Sequence, residues 1–300
     1  MTDPSPPGET RLGIGQRLFV GLQYLLPQHL LSGAMFRLTR LPLGPLTPVL
    51  IQGFVRLFGV DLDEAEDPRP GAYRTFNAFF TRALRPGARP LAPGASTVLS
   101  PVDGTISQLG RIGAGRIFQA KGRDFSCGEL LGGDSALAAS FDGGLFATLY
   151  LSPRDYHRIH LPLDAELTET IHVPGRLFSV NPTTAASVQR LFARNERVVC
   201  HFRTELGPMA LVLVGAIFVG SIETAWAGRI TPPRGREARR LPGQPAAGPA
   251  PRLPRGAEIG RFNMGSTVIL LLPPDRFQWH ESLAAGSPVR VGQALTVPAH

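Results

Sequence analysis

From Val98 onward the chain is written almost entirely in short β-like runs separated by glycines, and this texture limits the possible folds most. Gly104 to Leu109, Leu145 to Leu151, Glu166 to His172, Arg197 to Arg203 and Met209 to Val214 are each bounded by turn-forming residues and read as strands. Val268 to Leu272 is purely aliphatic and follows directly on Gly265-Ser266-Thr267, so it reads as a buried strand. A single helix interrupts the series: Asn181 caps it, Pro182 takes its first position, and Ala185 to Ala193 continue it. The segment from Met209 to Ile222 is too short to span a bilayer and is broken by Gly215 and Gly220; it reads as a strand pair or a strand with a bulge.

The N-terminal part is a different material. Residues 1–10 form a polar tail with two acids, unlike a secretory signal. Between Arg11 and Val60 there is no acidic residue, and Arg17, Arg37, Arg40 and Arg56 punctuate apolar stretches. Leu18, Phe19, Leu22, Leu25 and Leu26 recur at helical spacing before Pro27 interrupts them. A second helix starts at Thr47-Pro48 and continues through Ile51, Phe54, Val55 and Phe58. Short, basic, apolar helices broken by prolines suit a segment lying in the lipid interface, and they can equally pack on the protein's own core.

The acidic stretch Asp61 to Asp67 marks a boundary, so residues 1–66 form an N-terminal helical membrane-associating segment and 67–300 the catalytic domain. Tyr73 to Leu84 reads as a helix with an aromatic face, and residues 85–90 as a connector. Residues 231–256 hold seven prolines, six arginines and one acid, Glu237, a composition that suits a mobile surface loop. The fold class expected is α+β: short amphipathic helices followed by a β-rich catalytic body.

The formal charge of +8 rests almost wholly on arginine, since Lys121 is the only lysine. Such a balance suits an anionic partner. No nucleic-acid-binding motif accompanies it, so the partner expected is an anionic membrane surface, with no nucleic acid. Cys127 and Cys200 give neither a disulfide framework nor metal spacing and suit a reducing compartment.

Three constellations carry candidate chemistry. Asp103 sits in the tight turn Ser100-Pro101-Val102-Asp103-Gly104. His157 and His160 stand three apart in Tyr156-His157-Arg158-Ile159-His160; further ligands at metal spacing are missing, so no metal is expected. Gly265-Ser266-Thr267 supplies a hydroxyl beside a glycine carbonyl. Asp, His and Ser can converge as orienting acid, base and nucleophile, and chain order alone does not discriminate among such arrangements.

Taken as a set, Phe76-Asn77-Ala78-Phe79-Phe80-Thr81-Arg82, Arg85-Pro86-Gly87-Ala88-Arg89-Pro90, Pro101-Val102-Asp103-Gly104, Tyr156 to His160, Phe178-Ser179-Val180-Asn181-Pro182, Asn195-Glu196-Arg197 and Glu258 to Thr267 resemble the phosphatidylserine decarboxylase proenzymes, a family of pyruvoyl-dependent decarboxylases. The likeness runs from about Asp67 to the end, in order. One departure is Met264, where the family usually has leucine; volume and apolarity are kept.

The resemblance implies a self-cleaving enzyme that converts phosphatidylserine to phosphatidylethanolamine in phospholipid biosynthesis. Removing carbon dioxide from an amino acid leaves electrons that no ordinary side chain absorbs, so a carbonyl cofactor is needed. Pyridoxal phosphate would need a lysine anchor and a phosphate loop; the family instead makes a pyruvoyl group from its own serine. Carried over, Ser266 is the nucleophile and future pyruvoyl, His160 the base, and Asp103 its orienting acid. Cleavage between Gly265 and Ser266 would give a β chain to 265 and an α chain of 266–300, with backbone near Thr267 beside the oxyanion. His157 is assigned to the decarboxylation half. The likeness further implies a homodimer, peripheral on the cytoplasmic face of the cell membrane. The segments at Asp103-Gly104 and at Pro288 to Gln293 resemble halves of lipoyl-carrier-like β structure. Two rivals predict an intact chain: a Ser-His-Asp lipid or peptide hydrolase, although the Gly-x-Ser-x-Gly elbow is missing, and a non-catalytic membrane-binding module.

Overall fold

Three helices begin the chain in the computed structural model, which describes residues 13–218, 221–232, 238–241, 252–265 and 267–298. They are α1 (Ile14–Leu25), α2 (Gln28–Leu38) and α3 (Leu46–Phe58). Pro27 separates α1 from α2 and serves as the N-cap of the second, so the proline that ends one helix starts the next. α3 ends at Gly59, whose φ of 67° is the left-handed conformation that glycine adopts without a Cβ penalty.

α1 and α2 are built inside out. The buried residue of α1 is Gln23 and those of α2 are Gln28 and Ser32, whereas Ile14, Leu18, Leu22 and Leu25 face outward. The buried amides replace backbone partners: Gln23 Oε1 accepts from Ser179 N at 2.7 Å, and Gln28 Oε1 from Leu177 N at 2.9 Å. Ser32 Oγ accepts from Phe218 N at 3.1 Å. Polar bonds thus fasten α1 and α2 to the body and leave Ile14, Leu18, Leu22, Leu25, Leu30 and Leu38 exposed.

The expected helix from Tyr73 to Leu84 is shorter, α4 (Phe76–Phe80), capped by Thr75 Oγ1 at 3.1 Å from Ala78 N. It stops because the following backbone is used elsewhere: Glu66 N donates to Ala83 O at 2.9 Å and Arg85 N to Glu64 O at 3.0 Å. The acidic stretch therefore pairs with the connector across position 66. Ile51, Val60, Phe79 and Phe80 form a small core of their own, with Phe54, Phe76 and Met264 packed on it.

The body is an antiparallel nine-stranded sheet with a smaller four-stranded one. In chain order the strands that matter are β1 (Gly104–Arg111), β2 (Leu145–Tyr150), β3 (Arg158–His160), β4 (Ala165–Val173), β5 (Arg197–Thr204), β6 (Gly207–Val214), β7 (Ile222–Thr224), β8 (Gly228–Arg229), β9 (Arg239–Leu241), β10 (Arg252–Leu253), β11 (Glu258–Phe262), β12 (Thr267–Leu272) and β13 (Pro288–Val289). The large sheet runs β9-β4-β5-β6-β12-β2-β1-β13, with β10 also on β4; the small one runs β8-β7-β11-β3. β12 is the hub: Thr267 stands opposite both Tyr150 and Val214, and every residue of the strand is buried. That double coverage is why its sequence is purely aliphatic after Thr267.

Two sequence expectations are modified. The helix expected from Asn181 onward is two short turns, Pro182–Ala185 and Leu191–Arg194. Asn181 does cap the first, but the buried Gln119 amide then donates to the carbonyls of Ala185 and Val188 and accepts from Leu191 N, replacing helical bonds. Much of the expected loop 231–256 lies outside the described residues; its described parts at β9 and β10 are short strands on β4. The two segments likened to carrier-domain halves meet, Gly104 opposite Val289. Among the described residues no helix is long and apolar enough to cross a membrane.

Candidate active site

Ser266 itself lies outside the described residues, but the chain on both sides of it is placed. β11 leads in and β12 leads out, so Asn263, Met264 and Gly265 bridge the small sheet and the large one. Phe262 N donates to the His157 carbonyl at 3.0 Å and Asn263 N to the Ser221 carbonyl at 2.9 Å, fixing the approach. Met264 has a φ of 152°, a conformation L residues rarely adopt, which costs on the order of 1–3 kcal/mol. Its side chain is anchored in the small aromatic core around Phe79 and Phe80, which holds the strained backbone in place beside the Gly265 carbonyl.

His157 lies beside Gly265 on the side where a side chain would stand. It is fully buried, and a Cβ built on Gly265 would lie 3.0 Å from its Nε2 and 3.4 Å from the Leu151 carbonyl. Only glycine leaves that approach open. The His157 ring packs against Phe80 at a centroid distance of 4.1 Å, tilted by 40°. Its Nδ1 lies 2.7 Å from the Asp155 carbonyl, an acceptor only, so Nδ1 carries the proton and Nε2 presents a lone pair. That Nε2 has no hydrogen-bond partner among the described residues. Burial, with the charge of Arg82 behind it, pushes the ring down to about 3, so it is neutral at physiological pH.

His160 is arranged differently. Its Nδ1 donates to the Gly256 carbonyl at 2.8 Å, and its Nε2 accepts from the Tyr156 hydroxyl at 3.1 Å. Burial lowers its proton affinity too, with Glu258 and Asp103 acting in the opposite sense. The two rings therefore share no common centre, and among the described residues no cluster of three His, Cys, Asp or Glu side chains could hold a metal ion.

Asp103 is not hydrogen-bonded to His160, the contact expected from an orienting acid. Its carboxylate takes Arg89 Nε at 3.0 and 3.1 Å, Arg89 Nη2 at 2.5 Å, and Val291 N at 2.8 Å. Arg89 also donates to Glu64, which in turn accepts from Arg290. The reason is geometric: β1 and β2 approach so closely at Gly104 that a Cβ there would sit 2.3 Å from the Tyr150 carbonyl, and the turn before it presents Asp103 to the connector that carries Arg89. Asp103 acts on His160 through its field alone. Sequence reading missed Arg89 as its partner and Tyr156 as the partner of His160; a pair 14 residues apart across an irregular connector leaves no periodic signal.

Several buried polar atoms around position 266 lack partners among the described residues: His157 Nε2, Ser221 Oγ, Asn263 Nδ2 and Thr267 Oγ1. Native interiors satisfy such groups unless a site uses them. Beside Gly265 opens a cavity of about 290 Å³ walled by Phe54, Phe80, Tyr150, Ser179, Phe218 and Met264. It shares Met35, Phe54 and Met264 with an apolar groove of about 620 Å³ between α2 and α3, walled by Leu38, Leu41, Leu50 and Leu57.

Residues 76–297 match the phosphatidylserine decarboxylase family model. The chain belongs to that family. A second model, described as PSD, matches residues 18–59. Curated relatives carry the name phosphatidylserine decarboxylase proenzyme. That from Azotobacter vinelandii is 57% identical over 279 residues, covering 93% of this chain and 97% of its own. That from Pseudomonas fluorescens is 56% identical over 280 residues with the same coverage, and one from Pseudomonas aeruginosa is 56% identical over 282 residues, with 94% and 97% covered. The match spans the helical segment and the body alike.

Proposed function

We infer that this chain decarboxylates phosphatidylserine to phosphatidylethanolamine, using a pyruvoyl group made from Ser266 by self-cleavage after Gly265. The family and its proenzyme names support the reaction and the processing. The observation that carries the residue assignment is the neutral His157, with its free Nε2 lone pair aimed at Gly265.

The residues around position 266 fit such a group: glycine before it, orphaned polar atoms on both sides, and an apolar cavity beside it. In self-cleavage the Ser266 hydroxyl attacks the Gly265 carbonyl and the peptide becomes an ester; elimination then parts the chain. The strained φ at Met264 raises the ground state next to that bond. The base assigned to the hydroxyl is His160, whose tautomer the Gly256 carbonyl fixes and whose proton affinity Asp103 raises from a distance. Thr267, at the head of a fully buried strand, holds its backbone rigidly for the oxyanion. The pyruvoyl carbonyl supplies the electron sink for the carbon that loses carbon dioxide. His157, buried against Phe80, then stands ready to move a proton at that carbon, with the cavity beside Gly265 walled by Phe54 and Phe80.

The apolar groove suits acyl chains that never leave the lipid. A basic cluster flanks it: Arg40 Cζ lies 3.8 Å and Arg229 Cζ 5.2 Å over the Phe36 ring, while Arg40 and Arg261 share the single carboxylate of Glu223. Excess positive charge beside exposed leucines supports an anionic membrane surface as the docking partner. The cytoplasmic face and a homodimer rest on family likeness alone. No observation favours the hydrolase reading. The test is release of carbon dioxide and formation of phosphatidylethanolamine from phosphatidylserine vesicles, with Ser266→Ala as the control that abolishes both; equal activity in that variant refutes the assignment.

A further inference from the structure

Arg82 has no part in the scheme above, yet its state is costly. It is 4% exposed, and among the described residues no carboxylate comes within ion-pair distance. Its Nη2 donates to the Arg154 carbonyl at 3.2 Å, and its Nε has no acceptor. The guanidinium lies 5.5 Å from the Phe79 ring centroid. Arg197 makes the comparison. It too is buried without a carboxylate, but its nitrogens reach the carbonyls of Leu130, Ala193, Asn195 and Glu129. Arg197 is satisfied as a structural arginine should be; Arg82 is not. A buried guanidinium whose Nε is orphaned, and on which the carboxylates of Asp103, Asp155 and Asp61 act only from a distance, is unfavourable and persists where something else gains from it.

Arg82 lies between the two supports of the His157 ring. Two residues before it is Phe80, which packs against the imidazole. The carbonyl it holds belongs to Arg154, next to the Asp155 carbonyl that takes the His157 proton. The Asp155 carboxylate cannot answer the charge at close range, because it is taken up by Ser152 N at 2.6 Å and Ser152 Oγ at 2.7 Å, with Arg154 Nε at 3.9 Å. From the other sides the ring meets Phe80 and the uncharged backbone of Gly265. Burial does most to hold this imidazole neutral, and the Arg82 charge adds to it.

We propose that Arg82 is a positioning residue for His157: bonded to the Arg154 carbonyl, it holds the turn whose next carbonyl fixes the Nδ1 proton, and it brings its charge to bear on the ring whose Nε2 opens toward Gly265. This rests on His157 working at that bond. A like charge close to an ionisable group shifts its titration by roughly 1–3 pH units.

The test follows the His157 ring by nitrogen and carbon NMR through a pH titration of the full-length, uncleaved chain carrying Ser266→Ala, with His157→Gln identifying the signal. Arg82→Gln and Arg82→Met remove the charge, the second keeping an apolar stem should the first not fold; Arg82→Lys retains it. The ring in the parent and in Arg82→Lys is expected to keep its Nδ1-protonated neutral form until acid unfolding. In the charge-free variants it takes up a proton about one pH unit higher or more. In the mature enzyme the acid limb of kcat moves the same way with KM little changed. A ring that titrates alike in all variants refutes the proposal, as does a loss of kcat in Arg82→Lys equal to that in Arg82→Gln. Because the titration uses uncleaved chain, it stands apart from whether Ser266 becomes a pyruvoyl group.

Discussion

The stripe on α1 gives the sharpest energetic prediction. Ile14, Leu18, Leu22 and Leu25 fall on one helical face, and Leu18 and Leu25 are 69% and 83% exposed. Burying a whole leucine side chain is worth about 2 kcal/mol, so moving what these two now show to water into lipid contributes about 3 kcal/mol together. Replacing both with glutamine should therefore weaken partitioning to anionic vesicles by roughly 100-fold, at 1.4 kcal/mol per tenfold. Neither side chain supports the fold, so the melting temperature should stay within the range of ordinary surface changes. Sedimentation with vesicles at fixed salt measures the partition coefficient. If the double variant binds like its parent, the outward stripe is not what meets the membrane.

Two further outcomes are expected. His157 is held neutral down to about 3 against an unfolded value near 6.5, so between those limits the unfolded chain binds a proton the folded one does not, and stability falls as the pH is lowered through that window. His157→Gln should flatten that slope by up to one proton, about 1.4 kcal/mol per pH unit, in denaturant titrations at several pH values; an unchanged slope contradicts the buried neutral ring. Gly104→Ala would place a Cβ 2.3 Å from the Tyr150 carbonyl, forcing β1 from β2, and should cost about 3 kcal/mol of unfolding free energy. A loss below about 0.5 kcal/mol would contradict that close approach.

β1, β2, β4, β5, β6 and β12 are legible as short β-like runs bounded by turn residues, whereas β3, β7, β8 and β11 carry no such signal and β9 and β10 lie where the composition suggests a loop. The cap at Asn181 is equally readable, and Tyr73 to Leu84 reads as a helix, yet both helices stop early. What ends them is distant: the Gln119 amide in one case, and the pairing of 64–66 with 83–85 in the other. α2 went unread because Pro27 was taken to break a helix, while it also begins one. The motifs placed Asp103, His157, His160 and Gly265 in one region, but which histidine faces Gly265 depends on the crossing of β3 and β11, and no spacing encodes that. Arg89 and Arg82 were visible only as basic residues within motifs; their partners, or lack of them, are products of tertiary packing.

The central claim is a chain that cuts itself after Gly265 and converts the next residue to a ketone. Intact mass spectrometry of the purified, active protein tests it directly. Two chains are expected, one ending at Gly265 and one beginning at position 266, the smaller lighter by one ammonia than simple hydrolysis would leave it and blocked to N-terminal sequencing. A single continuous chain that still releases carbon dioxide from phosphatidylserine would contradict the account.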